Sequence, residues 1–129
     1  MAGGEIFCGS FHGKEKSLSA YPVVLDALEA RARGQAKVMI RRLKKAVNPL
    51  RSDTVEITKA QASVLLPLLS DYKKELVKLI GHSDWSKAAD LGGRNWEKGN
   101  GVQLYAVTDL IPACRVSIAK DEPIIIFFS

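Results

Sequence analysis

The stretch VQLYAVTDLIPACRVSIAKDEPIIIFF, residues 102 to 128, decides how the fold is predicted. Its three runs 102–107, 113–118 and 124–128 are short and rich in residues that favour strands. Short segments with polar residues or proline separate the runs, and connections of this length predict an antiparallel meander. Every residue of the last run is apolar, so we expect a central strand that is covered on both faces.

A strand and a long helix are predicted before this stretch. Residues 5–11 alternate weakly between apolar and polar side chains, which favours a first strand. Residues 19–22, SAYP, are typical of a helix entry, because proline is tolerated in the first turn. Gly34 predicts a break or kink in this helix, and Asn48-Pro49 predicts its end. The apolar residues that recur along it at helical spacing are Leu25, Leu28, Ala32, Ala36, Met39, Leu43 and Val47.

A second helix is predicted from a capping-box pattern. Thr58 and Gln61 have the spacing at which each side chain can bond to the backbone of the other. Leucines continue at helical spacing from there, and Gly81 predicts the end of the helix. Pro67 lies inside this pattern, so we expect a kink or a start later than Thr58.

The order of the predicted elements is one N-terminal strand, two long helices and a C-terminal three-stranded antiparallel meander. A short extended stretch is expected at 53–57, between the two helices. This order predicts an α+β fold with the helices on one face of the sheet. No internal repeat or Pro/Ser-rich linker divides the 129 residues, so we expect a single domain, 1–129.

Signals for export, membrane insertion and metal binding are weak. No apolar run reaches the roughly 18 residues of a membrane span, and residues 1–17 lack a basic segment followed by an apolar one. We therefore expect a cytoplasmic protein with no membrane partner. Cys8 and Cys114 are too few for a disulfide scaffold, and we expect buried, reduced thiols. The spacing of Cys8 and His12 is a poor zinc signal, so we expect neither a metal nor a cofactor.

Positive charge is concentrated in residues 31–51, RARGQAKVMIRRLKKAVNPLR. The chain has 19 Lys and Arg and 14 Asp and Glu; eight basic and no acidic residues lie in this segment, which leaves 11 basic and 14 acidic residues elsewhere. The net charge of +5 therefore comes from this segment alone. A concentrated field of this kind can steer an anionic partner. The basic residues placed opposite or beside the apolar stripe, and taken as candidates for binding a partner, are Arg33, Lys37, Arg41, Lys44 and Lys45.

Three interpretations of the basic residues stay open. Asp26 and Glu29 near the start of the helix, with cations near its end, match the helix dipole and favour an ordinary solvated surface. A phosphate backbone is the second interpretation, and its binding would weaken steeply with salt. An acidic protein partner is the third.

Two regions resemble HigB-type members of the RelE/ParE toxin superfamily. Residues 13–17, GKEKS, followed by PVVLDAL at 22–28 and QAKVMIRRL at 35–43, resemble the family's first turn and helices. The sequence ACRVSIAKDEPIIIFFS, 113–129, resembles its closing hairpin. Residues 58–90 would then be a helical insertion.

The resemblance implies cleavage of mRNA, on or off the ribosome, by a toxin that an antitoxin neutralises. Arg115 stands at the position of the family's hairpin arginine and is the candidate catalytic residue, with a structural salt bridge as the alternative. Two departures predict loss of cleavage. The strand motif Glu-Leu-Arg of the family falls near 104–106, where the arginine is absent, and no basic tail follows Ser129.

A loop between two glycine clusters supplies the remaining candidates. Arg94 and Lys98 lie between Gly92-Gly93 and Gly99-Asn100-Gly101, where they are candidates for binding a partner, although a plain surface turn is favoured. Two functions follow from the whole sequence. One is a RelE/HigB-like RNA-directed protein, an endoribonuclease if the resemblance holds. The other is a non-enzymatic interaction module (inhibitor, immunity protein or antitoxin) that presents the basic helix to an acidic protein.

Overall fold

A computed structural model of the chain describes residues 3–16, 20–47, 53–87 and 99–128. Within these ranges it shows an antiparallel four-stranded sheet and four α-helices, which confirms the α+β class. The strands are β1 (Gly4–Cys8), β2 (Phe11–His12), β3 (Thr54–Ile57) and β4 (Ile124–Phe128). The helices are α1 (Ala20–Arg31), α2 (Gly34–Ala46), α3 (Lys59–Ile80) and α4 (Asn100–Lys120), with a short 3₁₀ turn at Trp85–Lys87.

Strand β4 lies inside the sheet, whose order is β2-β1-β4-β3, and every pairing is antiparallel. The predicted central strand at 124–128 is therefore confirmed. Its burial alternates, with Ile124, Ile126 and Phe128 buried in the core and Phe127 45% exposed. The expectation that both faces are covered is wrong, because the described helices pack on one face of the sheet only.

The predicted C-terminal meander is wrong in its first two strands. Residues 102–107 and 113–118 belong to one helix, α4, which runs through Pro112. Eleven of its 21 residues are buried, because α3, α1 and the sheet surround it. A helix that is buried on most sides needs apolar residues nearly all round. Short apolar runs of this kind cannot be distinguished from strands by periodicity alone.

The long basic helix is broken, as Gly34 predicts. Helix α1 ends at Arg31, and α2 begins at Gly34, whose φ is +59°. A positive φ is costly for residues with a Cβ atom and open to glycine. Ile40 and Leu43 of α2 are buried, so the helix packs its apolar stripe inward, mainly onto α1. The predicted helix end at 48–49 lies outside the described residues.

The N-terminal strand is predicted at the right place but with the wrong extent. Residues 5–11 cover both β1 and the turn to β2, because Gly9 reverses the chain at φ +57°. The extended stretch predicted at 53–57 is confirmed by β3.

The capping box at Thr58 and the glycine at Gly81 mark the two ends of helix α3, as the sequence predicts. Thr58 caps it: its hydroxyl accepts a hydrogen bond from the Gln61 backbone N–H at 3.2 Å, and the Gln61 side chain accepts one from the Thr58 N–H at 2.9 Å. Gly81 ends it at φ +80°. Pro67 lies within one continuous helix, so the predicted later start is wrong.

Replacing Thr58 by alanine should lower the free energy of unfolding by about 1 kcal/mol, because an N-cap hydroxyl satisfies a helix N–H that nothing else bonds. Urea denaturation monitored by circular dichroism measures this change. Ser63→Ala is the matched control. The Ser63 hydroxyl donates to the Lys59 carbonyl inside the helix, a bond that adds little stability. An equal loss in both variants would contradict the capping role.

The core lies between α3, α4 and the helix-facing side of the sheet, and it includes Ile6, Leu65, Leu69, Leu104 and Ile126, each no more than 1% exposed. Among the helices in the described ranges, none combines the length and apolar character that crossing a membrane requires.

Candidate functional site

Two of the candidate basic residues form ion pairs with carboxylates of the same chain. The Lys44 Nζ lies 2.5 Å from the Asp26 Oδ1 and 2.6 Å from the Glu29 Oε1, and the Arg41 Nε lies 3.0 Å from the Glu29 Oε2. These ion pairs join α2 to α1. The Lys44 and Arg41 cations hold the pKa of Glu29 below its ordinary value. The Arg41 side chain is still 58% exposed and that of Lys44 30%, but both cations are paired, because the break at Gly34 folds α2 back against the acidic side of α1.

Arg31, also in the basic segment, is paired as well. Its Nε and Nη2 donate to the two Glu75 oxygens at 2.8 and 3.1 Å, and its guanidinium lies 4.4 Å from the centre of the Tyr72 ring. The two hydrogen bonds lower the pKa of Glu75 and raise that of Arg31. Arg31 thus fastens the end of α1 to α3.

Within the described part of the basic segment, residues 31–47, four cations have no ion pair: Arg33, Lys37, Arg42 and Lys45. Arg42 and Lys45 are exposed, and at about 100° per residue they fall within about 60° of Val38 around α2. Val38 itself is 42% exposed. We call Val38, Arg42 and Lys45, with Lys37 about 100° further round the helix and Arg33 at the helix start, the α2 face. Residues 31–47 contain no Asp or Glu, so this face has no carboxylate of its own.

The α2 face offers positive charge around an exposed aliphatic side chain. Cations on flexible stems bind carboxylates or phosphates, and Val38 adds apolar contact area. The face presents no carboxylate, histidine or thiol that would act as a general base or nucleophile. What its side chains supply is positive charge and apolar contact area.

Arg115 lies on α4 and is exposed. It does not stand in a hairpin, since residues 113–118 are helical. The structural setting that the resemblance implies for this arginine is therefore absent. Arg94 and Lys98 lie outside the described ranges.

A buried polar cluster that the sequence did not suggest lies where the 13–16 segment meets α4. The Lys16 side chain is fully buried, forms an ion pair with Asp109, and donates to the Lys14 carbonyl at 2.7 Å. Its ammonium also lies 3.8 Å from the centre of the Tyr105 ring, on which Trp85 stacks at 4.0 Å. Burial lowers the pKa of Lys16, and the bond to Asp109 opposes that shift.

This cluster has a structural role, because the ion pair between Lys16 and Asp109 joins the segment before α1 to α4. Asp109 also accepts from the Lys14 backbone N–H at 2.9 Å, so it holds the segment before α1 against α4. The one signal in the sequence was the lone acid, Asp109, inside the apolar run 102–118.

The cysteines are buried and unpaired with each other, as expected. Burial raises the pKa of Cys8, and it raises that of Cys114 to about 12, so neither thiol is readily ionised. Across the described part of the chain, no group of three or more His, Cys, Asp or Glu side chains is placed to hold a metal ion.

The α2 face is the best candidate for a functional site, and its assignment depends on its own geometry. The relationship to the RelE/ParE superfamily stays a prediction. Comparison of the chain with protein-family models, with curated proteins and with solved structures found no match.

Proposed function

We propose that this chain is a non-enzymatic interaction module that binds an acidic protein through the α2 face. The observation that carries the proposal is the exposed Val38 among cations that no carboxylate of the described chain neutralises. An apolar centre with a charged rim is the usual arrangement of a protein–protein interface.

The apolar centre favours a protein over a nucleic acid. Contacts to a phosphate backbone come from cations and polar groups and do not require an aliphatic side chain at their centre. Binding of single-stranded bases uses aromatic side chains, and α2 has none. An acidic helix or strand with one or two aliphatic residues satisfies both parts of the face.

Charge reversal on the α2 face tests the proposal. Arg42→Glu with Lys45→Glu should weaken binding of an acidic peptide with leucines at helical spacing at least tenfold, because two attractive contacts become repulsive. Fluorescence anisotropy at low salt measures the affinity, and a single-stranded RNA of similar charge serves as the second probe.

Lys74→Glu with Lys78→Glu is the matched control. Both residues are exposed on α3. Each double variant replaces two positive charges by two negative ones, which lowers the net charge from +5 to +1 in either case. The control should bind the peptide within about twofold of the wild type. Equal losses in the two variants would mean that only net charge matters, and tighter binding of RNA than of peptide would overturn the choice of partner.

A RelE-type endoribonuclease is the second candidate, favoured by the four cations of the described residues 31–47 that have no ion pair. Such a toxin should arrest growth when expressed without its antitoxin, and Arg115→Ala should relieve the arrest. For an interaction module we expect harmless expression, with no effect of Arg115→Ala. Growth arrest with cleaved mRNA would reverse the order of the two proposals.

A further inference from the structure

The face of the sheet that points away from the helices is a second exposed surface, and it carries acidic residues where the α2 face carries basic ones. We call it the open sheet face. Phe7 and Ile125 are paired directly across β1 and β4, and Phe127 lies two residues further along β4 at 45% exposure. These side chains form an apolar row that no described helix covers. The strand residues on this face are Glu5, Phe7, His12, Thr54, Glu56, Ile125 and Phe127.

Carboxylates flank the apolar row on both sides. Glu5 lies opposite Phe127 on one neighbouring strand, and Glu56 lies opposite Ile125 on the other. No Lys or Arg belongs to the strand residues on this side. His12, whose ring stacks on Phe7 at 4.2 Å, lies 2.8 Å from the Glu5 carboxylate. The face is thus apolar at its centre and acidic at its rim.

The spacing of these charges fits the α2 face. Glu5 and Glu56 lie two strands apart and two residues out of register, which places their Cα atoms about 12 Å apart. Lys37 and Lys45 lie about 12 Å apart along the axis of α2; around the helix Lys45 falls within about 20° of Val38, and Lys37 about 100° from it. Val38 thus stands directly beside Lys45 and Arg42, as Ile125 and Phe127 stand beside the two glutamates. Charge sign, apolar centre and spacing along the helix axis therefore correspond between the two surfaces.

We propose that the open sheet face binds the α2 face of a second copy of this chain. This inference rests on the proposed function, since it names the acidic partner of the α2 face. Helix α2 belongs to the helical layer, which covers the opposite side of the sheet. The α2 face of one molecule therefore cannot bind the open sheet face of the same molecule. The contact between copies is head-to-tail, and such contacts build chains or rings rather than closed pairs.

Two variants, each lacking one surface, test the proposal on the full chain. The first is Arg42→Glu with Lys45→Glu, which reverses the α2 face. The second is Glu56→Gln with Phe127→Thr, which removes one rim charge and the exposed centre of the open sheet face without introducing a cation that could attract the reversed α2 face. Sedimentation velocity at low salt should show wild-type association that grows with concentration and is lost at about 0.5 M NaCl, where charges are screened within about 4 Å.

Each variant alone should be monomeric, and an equimolar mixture of the two should form a 1:1 heterodimer that does not grow further. This result follows only from head-to-tail contact, because the mixture retains one intact copy of each surface. Circular dichroism checks that both variants are folded, and Glu5→Gln with Glu56→Gln replaces the second variant if Phe127→Thr unfolds it. The matched control Lys74→Glu with Lys78→Glu should associate like the wild type.

A wild type that stays monomeric at about 0.5 mM protein and low salt overturns the proposal, as does a mixture of variants that stays monomeric. Association that survives in either variant alone also overturns it. These outcomes do not by themselves decide the proposed function, which depends on binding of the acidic peptide. A monomeric wild type that still binds the acidic peptide through the α2 face retains the function and excludes the second copy as its partner.

Discussion

Replacing Asp109 by leucine should lower the free energy of unfolding by about 3–5 kcal/mol, the largest effect that we expect from any single change. The Lys16 ammonium, whose side chain is fully buried, would keep only the Lys14 carbonyl and the Tyr105 ring as partners. A buried charge without its counter-ion is strongly destabilising, because desolvation is no longer offset. Urea denaturation at neutral pH measures the loss.

The double variant Lys16→Met with Asp109→Leu is the control. It removes both charges and substitutes apolar side chains of similar length, so it should regain most of the stability that Asp109→Leu loses. Lys16→Met alone should cost less than Asp109→Leu, because Asp109 is 16% exposed and keeps the Lys14 N–H as a donor. Losses that simply add in the double variant would show that the two charges are not coupled.

The second large effect is expected at Leu69 of α3. Leu69 is fully buried, and Leu69→Ala should cost about 2–5 kcal/mol because it leaves a cavity in the core beside α4. Leu79→Ala makes the same chemical change on the same helix at a side chain that is 68% exposed, and it should cost less than about 0.5 kcal/mol. Similar losses in the two variants would contradict the packing of α3 against α4.

The sequence predicted correctly those features whose conformation depends on a few neighbouring residues. The hydroxyl and amide of Thr58 and Gln61 determine the start of α3, and the glycines at 34 and 81 mark positions where φ is positive. Strand β4 was also predicted, because five consecutive apolar residues after a turn have few alternatives.

Helix α4 could not be predicted, because burial rather than intrinsic propensity decides its conformation. Its residues Leu104, Val107, Ile111 and Cys114 recur at helical spacing, but the positions between them are apolar too, and Pro112 favours a break. Only the packing of α3 and the sheet around this segment makes a helix the better solution.

The candidate site was predicted as a segment but not residue by residue. The sequence located the cations, whereas their availability depends on the fold of α1 against α2, which gives Asp26 and Glu29 to Lys44 and Arg41. The sequence alone already identified three cations of the α2 face as candidates: Arg33, Lys37 and Lys45. Arg42 joins them because its side of the helix also exposes Val38.

The most direct test of the central claim is a map of amide chemical shifts of the full chain during titration with the acidic, leucine-containing peptide. We expect the largest shift changes at residues 37–45 of α2, with Val38 and Arg42 among them, and small changes on α3. Changes spread over all basic residues, or centred on Arg115 and the rest of α4, would contradict the assignment of the α2 face as the binding surface.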